Sequence, residues 1–123
     1  MQENPLKGKR GLARLWNALF YSFDGLKAAY QAEAAFRQEL LAALILIPVA
    51  FFLPVSHIGR ALMIASIILV LIIELINSAI EAVVDRISQE RHPLSKRAKD
   101  VGSAAVLLAL INAALVWSIV LLS

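Results

Sequence analysis

The sequence predicts an all-α integral membrane protein, with three membrane-spanning helices preceded by an amphipathic surface helix. Three observations carry that prediction. Hydrophobic residues make up 60% of the 123 and the mean hydropathy is +0.76, more than a soluble domain of this size carries. The apolar residues gather in long runs that so short a chain could not bury in a water-facing core. The 12 lysines and arginines stand beside those runs and form no stripe on a polar module. The net charge of +3 therefore reads as membrane topology, and no nucleic-acid partner is expected.

The chain, residues 1–123, reads as one membrane domain. Its first element is a surface helix over residues 6–30. At 100° per residue, Leu12, Leu15, Trp16, Leu19, Phe20, Phe23, Leu26 and Tyr30 fall in one arc, with Arg10, Arg14, Asn17 and Tyr21 opposite. An aromatic-rich face backed by basic and polar residues suits a helix lying in the membrane interface. A core-facing helix of a soluble bundle is the competing reading. Met1 to Arg14 has basic residues but no apolar segment and small-residue cleavage site behind them, so no cleaved signal peptide is expected.

The first span covers residues 31–55. Its apolar stretch, Leu40 to Val55, has 16 residues and becomes long enough to cross when Gln31 to Glu39 forms its interfacial start. Pro48 is expected to kink this helix and Pro54 to end it, with a tight turn over Ser56 to Arg60. The second span is residues 61–84 and the third residues 101–123, the latter with no charged residue. A polar connector, residues 85–100, lies between them and is broken by Pro93. Six lysines and arginines precede Leu40, one lies in the first connector, five lie in the second and none follow. The positive-inside rule then places the N-terminus and the second connector in the cytoplasm.

Acids decorate this scheme asymmetrically. From Leu40 to Ile73 the only Asp, Glu, Lys or Arg is Arg60, and the second span then presents Glu74, Asn77, Glu81 and Asp85. On a helix these four fall within about 80° of arc and about 16 Å of length, with Ser78 and Ser88 extending the stripe. A carboxylate inside a spanning helix costs about 2.5–3.5 kcal/mol on insertion scales, so such a stripe argues for a function. Asn77 alone could instead be hydrogen-bonding glue between helices. A second acidic set, Glu33 and Glu39, opens the first span. Glu33 could simply pair with Arg37 at i,i+4. Both helix ends meet the same interface, however, so Glu33 and Glu81 can approach where phosphate would enter, and two carboxylates there suit Mg²⁺.

The run Glu90 to Asp100 supplies the cations. By itself it is a positive-inside anchor; beside a carboxylate cluster it can hold a polyphosphate, with Lys99 and Asp100 the pair committed to nucleotide. There is no cysteine, which excludes thiolate chemistry and disulfides. Neither the Gly-rich phosphate loop with its Lys-Ser/Thr end nor the glycine-rich loop and Asp-Phe-Gly of protein kinases occurs. Phosphoryl transfer needs mainly positioning and charge neutralisation, so a few carboxylates, a metal and cations can suffice.

Glu33-Ala-Ala-Phe-Arg-Gln-Glu39, Glu74-Leu-Ile-Asn-Ser-Ala-Ile-Glu-Ala-Val-Val-Asp85 and Arg97-Ala-Lys-Asp-Val-Gly-Ser-Ala-Ala105 closely resemble the prokaryotic diacylglycerol kinases, in particular the Gram-negative form, over nearly the whole chain. The pattern departs at Ala32, where Asn is expected, and at Asp24, where Lys is expected. The resemblance implies a multi-pass bacterial inner-membrane homotrimer with composite sites at the cytoplasmic face. It implies that Glu74 is the general base and that Glu33 and Glu81 are the metal carboxylates. Arg14, Tyr21, Glu33, Glu81, Glu90, His92, Lys99 and Asp100 match positions associated with ATP. Glu39, Glu74, Ser103 and Trp117 match positions near the lipid, with Asn77 and Asp85 in support. The expected reaction moves the γ-phosphate of MgATP to the primary hydroxyl of diacylglycerol. Undecaprenol is the alternative acceptor, and a non-catalytic or ion-conducting membrane assembly is the more distant alternative.

Overall fold

The computed structural model describes residues 7–87 and 90–123. Among them it contains the helices α1 (Lys7–Ala32), α2 (Ala34–Phe52), α3 (His57–Ile87) and α4 (Pro93–Leu122). The expected first residue of the surface helix, Leu6, and Ser88 of the polar stripe lie outside the described residues. The chain divides into two compact units, Met1–Ala32 and Glu33–Ser123.

The first unit is α1. Its apolar side chains Leu12, Leu15, Leu19 and Phe23 are exposed, and Trp16 meets Phe20 edge to face with ring centroids 5.4 Å apart. The helix runs two residues beyond the expected Tyr30. No glycine or proline interrupts Lys27 to Ala32, so nothing local ends it there.

The second unit holds three helices of 19, 31 and 30 residues, each long and apolar enough to cross a membrane. The central helix is α3, with α2 and α4 both packed on it. Two apolar helices in an apolar solvent gain little from burial alone, so they associate where small residues let backbones approach. That logic is visible here. On α2 the buried residues Phe36, Ala43 and Ala50 recur every seventh position. On α3 Gly59, Met63, Ser66, Val70 and Glu74 are buried at steps of four, three, four and four, close to the spacing of a left-handed helix seam. On α4 Gly102, Ala109 and Ala113 face α3, with Val70, Ala109 and Ala113 forming a cluster flanked by Ile67 and Ile73. Outward-facing Leu44, Ile68, Leu108, Ile111 and Leu115 are exposed, as helices solvated by acyl chains require.

The two turns are built differently. α2 passes through Pro48 and stops at Phe52, because Leu53 precedes Pro54 and is pushed to an extended conformation. α3 then starts at His57, earlier than the expected Ala61, with the Ser56 hydroxyl accepting from the Gly59 N–H at 3.0 Å in the manner of a helix cap. The Arg60 guanidinium donates to the carbonyls of Ala50 and Leu53 at 3.0 Å and of Val55 at 3.5 Å, and meets His57 Nδ1 at 3.3 Å. These are carbonyls that the end of α2 leaves without helical partners. At the other end, the expected polar connector is largely helical. α3 continues to Ile87, and α4 opens at Pro93 with His92 Nδ1 accepting from the Leu94 N–H at 3.1 Å. Pro93 therefore starts a helix where the sequence suggested only a break, since its missing N–H is an orphan of the first turn in any case.

Candidate functional site

The polar stripe of α3 survives folding as a ladder of carboxyl groups, each rung facing α2 or α4. Its innermost rung joins Glu74, which is buried at 6% exposure, to Glu39 of α2: the two carboxyl groups interact directly. One oxygen of Glu39, Oε2, is buried with no donor on it among the described residues.

The next rung is two turns along α3. Glu33 sits between α1 and α2 in an extended conformation, φ −117° and ψ 109°, and its Oε1 accepts from the Ser78 hydroxyl at 3.3 Å. The same carboxyl faces that of Glu81, whose Oε1 accepts from Asn77 Nδ2 at 3.4 Å. Asn77 is in turn set by Gly102 of α4. A Cβ there would collide with Asn77 Oδ1 and stand 3.2 Å from its Cγ, so only glycine lets the amide lie between the helices. Two carboxylates brought together and oriented by hydroxyl and amide donors are an oxygen-rich, hard donor set of the kind Mg²⁺ takes alongside substrate phosphates. Among the described residues there is no group of three or more His, Cys, Asp or Glu able to hold an ion unaided. The pair fits an ion completed by a ligand.

The outermost rung is Asp85, bridged to Lys99 Nζ of α4 at 2.8 Å. Lys99 also lies within electrostatic reach of Glu81. Asp85, Glu90, His92 and Lys99, together with Arg91, Pro93, Val84 and Lys96, line a groove of about 650 Å³. Asp100 opens instead on an adjoining groove of about 330 Å³ and pairs with Lys96 at 2.6 Å.

The remaining expected residues are dispersed. Arg14 and Tyr21 share one side of α1 with Arg10 and Asn17, along a shallow groove of about 450 Å³. Ser103 is exposed on α4 beside Gly102. The Trp117 indole N–H donates to the Met63 carbonyl at 3.1 Å, a carbonyl that also accepts from Ser66 at 2.7 Å, so its polar edge serves the α3–α4 contact. Sequence reasoning singled out neither Gly102 nor, within the basic run of residues 90–100, Lys96. The signal for Gly102 was a helical glycine amid larger residues, which asks for a packing reason; that for Lys96 was its i,i+4 spacing from Asp100.

Comparison with known proteins adds a family. Residues 20–121 match the model of the family described as prokaryotic diacylglycerol kinase. A diacylglycerol kinase of Pseudomonas aeruginosa is 57% identical over 122 residues, 99% of this chain and 99% of the relative. One of Escherichia coli (strain K12) is 55% identical over 92% of this chain and 93% of its own, and one of Helicobacter pylori (strain 26695) is 47% identical over 98% and 94%.

Proposed function

The chain belongs to the prokaryotic diacylglycerol kinase family, and from that premise we propose how its carboxyl ladder carries out phosphorylation of diacylglycerol by ATP. The enzyme is a multi-pass membrane protein of the bacterial inner membrane, with α1 lying in the interface and the N-terminus in the cytoplasm. It acts as a homotrimer. The relatives carry the diacylglycerol kinase name, which favours that acceptor over undecaprenol.

The observation that carries the reading is the position of the facing Glu33 and Glu81 carboxyls between the buried Glu74 and the Asp85–Lys99 bridge. A phosphate donor and a greasy alcohol must meet at one depth, and this ladder runs from a charged groove to an apolar helix interior. Glu90, His92 and Lys99 bind the nucleotide from the larger groove and Asp100 from the groove adjoining it, Lys99 as a point charge on phosphate. Glu33 and Glu81 are the residues that would hold Mg²⁺, held in place by Ser78 and Asn77. When bound, the ion supplies charge neutralisation on the phosphates.

The alcohol enters from the lipid side, where Glu39, Ser103 and the face of Trp117 are the residues proposed to meet it. Glu74 accepts the hydroxyl proton as the oxygen attacks the γ-phosphorus in line, and its partner Glu39 can share that proton afterwards. The new O–P bond forms as the bond from γ-phosphorus to the bridging oxygen of ADP breaks, leaving phosphatidic acid and ADP. Purified protein in detergent micelles, given labelled ATP with diacylglycerol or undecaprenol in turn, tests the reading. Labelled phosphatidic acid is expected; label in the polyprenyl product alone would sink it.

A further inference from the structure

Lys96 has no part in the carboxyl ladder, yet it lines both polar grooves of the α3–α4 end, the larger with Lys99 and the smaller with Asp100. Its position follows from helix geometry. Three residues before Lys99 on α4, it lies one turn away on the same side, roughly 5–6 Å between Cβ atoms. Both ammonium groups are held by carboxylates, Lys99 by Asp85 at 2.8 Å and Lys96 by Asp100 at 2.6 Å.

The two pairs differ in kind. Lys99–Asp85 joins two helices, whereas Lys96–Asp100 is a pair within one helix whose side chains are 79% and 61% exposed. An exposed pair at that spacing adds little to a fold, since water screens it and two long side chains must be ordered to keep it. Such a pair holds its ammonium only until a better anion arrives. A polyphosphate is that anion, because it brings several charged oxygens and accepts charge-assisted hydrogen bonds from more than one cation. Lys96 has three N–H donors, of which one serves Asp100.

We infer that Lys96 is a second polyphosphate-binding cation of the nucleotide groove, exchanging Asp100 for phosphate oxygen when nucleotide enters beside Lys99. The inference rests on the nucleotide reading of that groove. It makes the Lys96–Asp100 pair a resting arrangement: the lysine neutralises the carboxylate until nucleotide enters, and binding releases the carboxylate as the lysine turns to phosphate.

The test uses the full chain in detergent micelles, with steady-state kinetics in ATP and in diacylglycerol, and inhibition by ADP and by adenosine. Lys96→Gln is expected to raise the KM for ATP by about 3- to 10-fold while kcat stays within about twofold, the pattern of lost uniform binding. ADP inhibition should weaken and adenosine inhibition should not, because only the former carries phosphate. Lys96→Arg, which keeps the charge, should restore the ATP KM to within about twofold of the parent. An unchanged ATP KM in Lys96→Gln, or an equal loss for adenosine and ADP, overturns the role of Lys96 while leaving the kinase reading intact. Parent protein that neither turns over ATP nor binds ADP overturns the nucleotide reading itself.

Discussion

Gly102 of α4 leaves no room for a Cβ, because the side-chain amide of Asn77 on α3 already fills that space. The same amide donates to Glu81, so a glycine on one helix sets a carboxylate on another. Gly102→Ala should push Asn77 aside and lose that orientation. Overpacking of this sort costs about 1–3 kcal/mol, and a misplaced Glu81 should lower turnover about 10- to 100-fold. Thermal inactivation and kcat, measured together, check both; full activity with unchanged stability would show that the amide can rotate away freely.

Glu74→Gln keeps the shape and the hydrogen-bonding edge of the side chain but cannot accept the alcohol proton. Turnover should fall about 10²- to 10⁴-fold in a protein that remains folded by circular dichroism and gel filtration. A variant that keeps parental kcat would remove Glu74 as the base.

Glu33→Gln and Glu81→Gln should each raise the Mg²⁺ concentration giving half-maximal activity, by about tenfold or more. Because the two carboxylates face each other, the double variant should lose far less than the product of the single losses, the mark of groups acting as a unit. Independent, multiplicative effects in a Mg²⁺ titration would argue against a shared ion.

Trp117→Phe separates the two tasks open to this residue. Removing the indole N–H takes away the bond to the Met63 carbonyl and should lower stability by about 0.6 kcal/mol, the typical worth of a hydrogen bond between membrane helices. The KM for diacylglycerol should barely move, since the aromatic face remains. A large rise in that KM with unchanged stability would instead make the indole N–H a lipid contact.

Much of this architecture could be read from periodicity. The helical arc of Leu12 to Tyr30 and the shared side of Glu74, Asn77, Glu81 and Asp85 depend only on residue spacing, which a helix preserves. What spacing cannot convey is register between helices. That Glu39 meets Glu74 and Glu33 meets Glu81 depends on how far α2 is slid along α3, and no single segment records it. The break at Glu33 was equally hidden, because its neighbours Ala32, Ala34 and Ala35 are all good helix formers; the carboxylate's partners, Ser78 and Glu81, lie far along the chain. The opening of α4 at Pro93 escaped for another reason. Histidine is an uncommon N-cap, so proline there signalled an end and not a beginning.

Arg60 gathers the carbonyls of Ala50, Leu53 and Val55 under one guanidinium, and in doing so fixes a pivot. Any spreading of α2 from α3 must swing about that pinned corner, as the arms of a pair of tweezers swing about their joined end. The tips lie far off at 1.5 Å per residue, Glu33 roughly 25 Å from Ala50 and Glu81 roughly 32 Å from Arg60. A slight tilt at the corner is therefore magnified where the two acids meet.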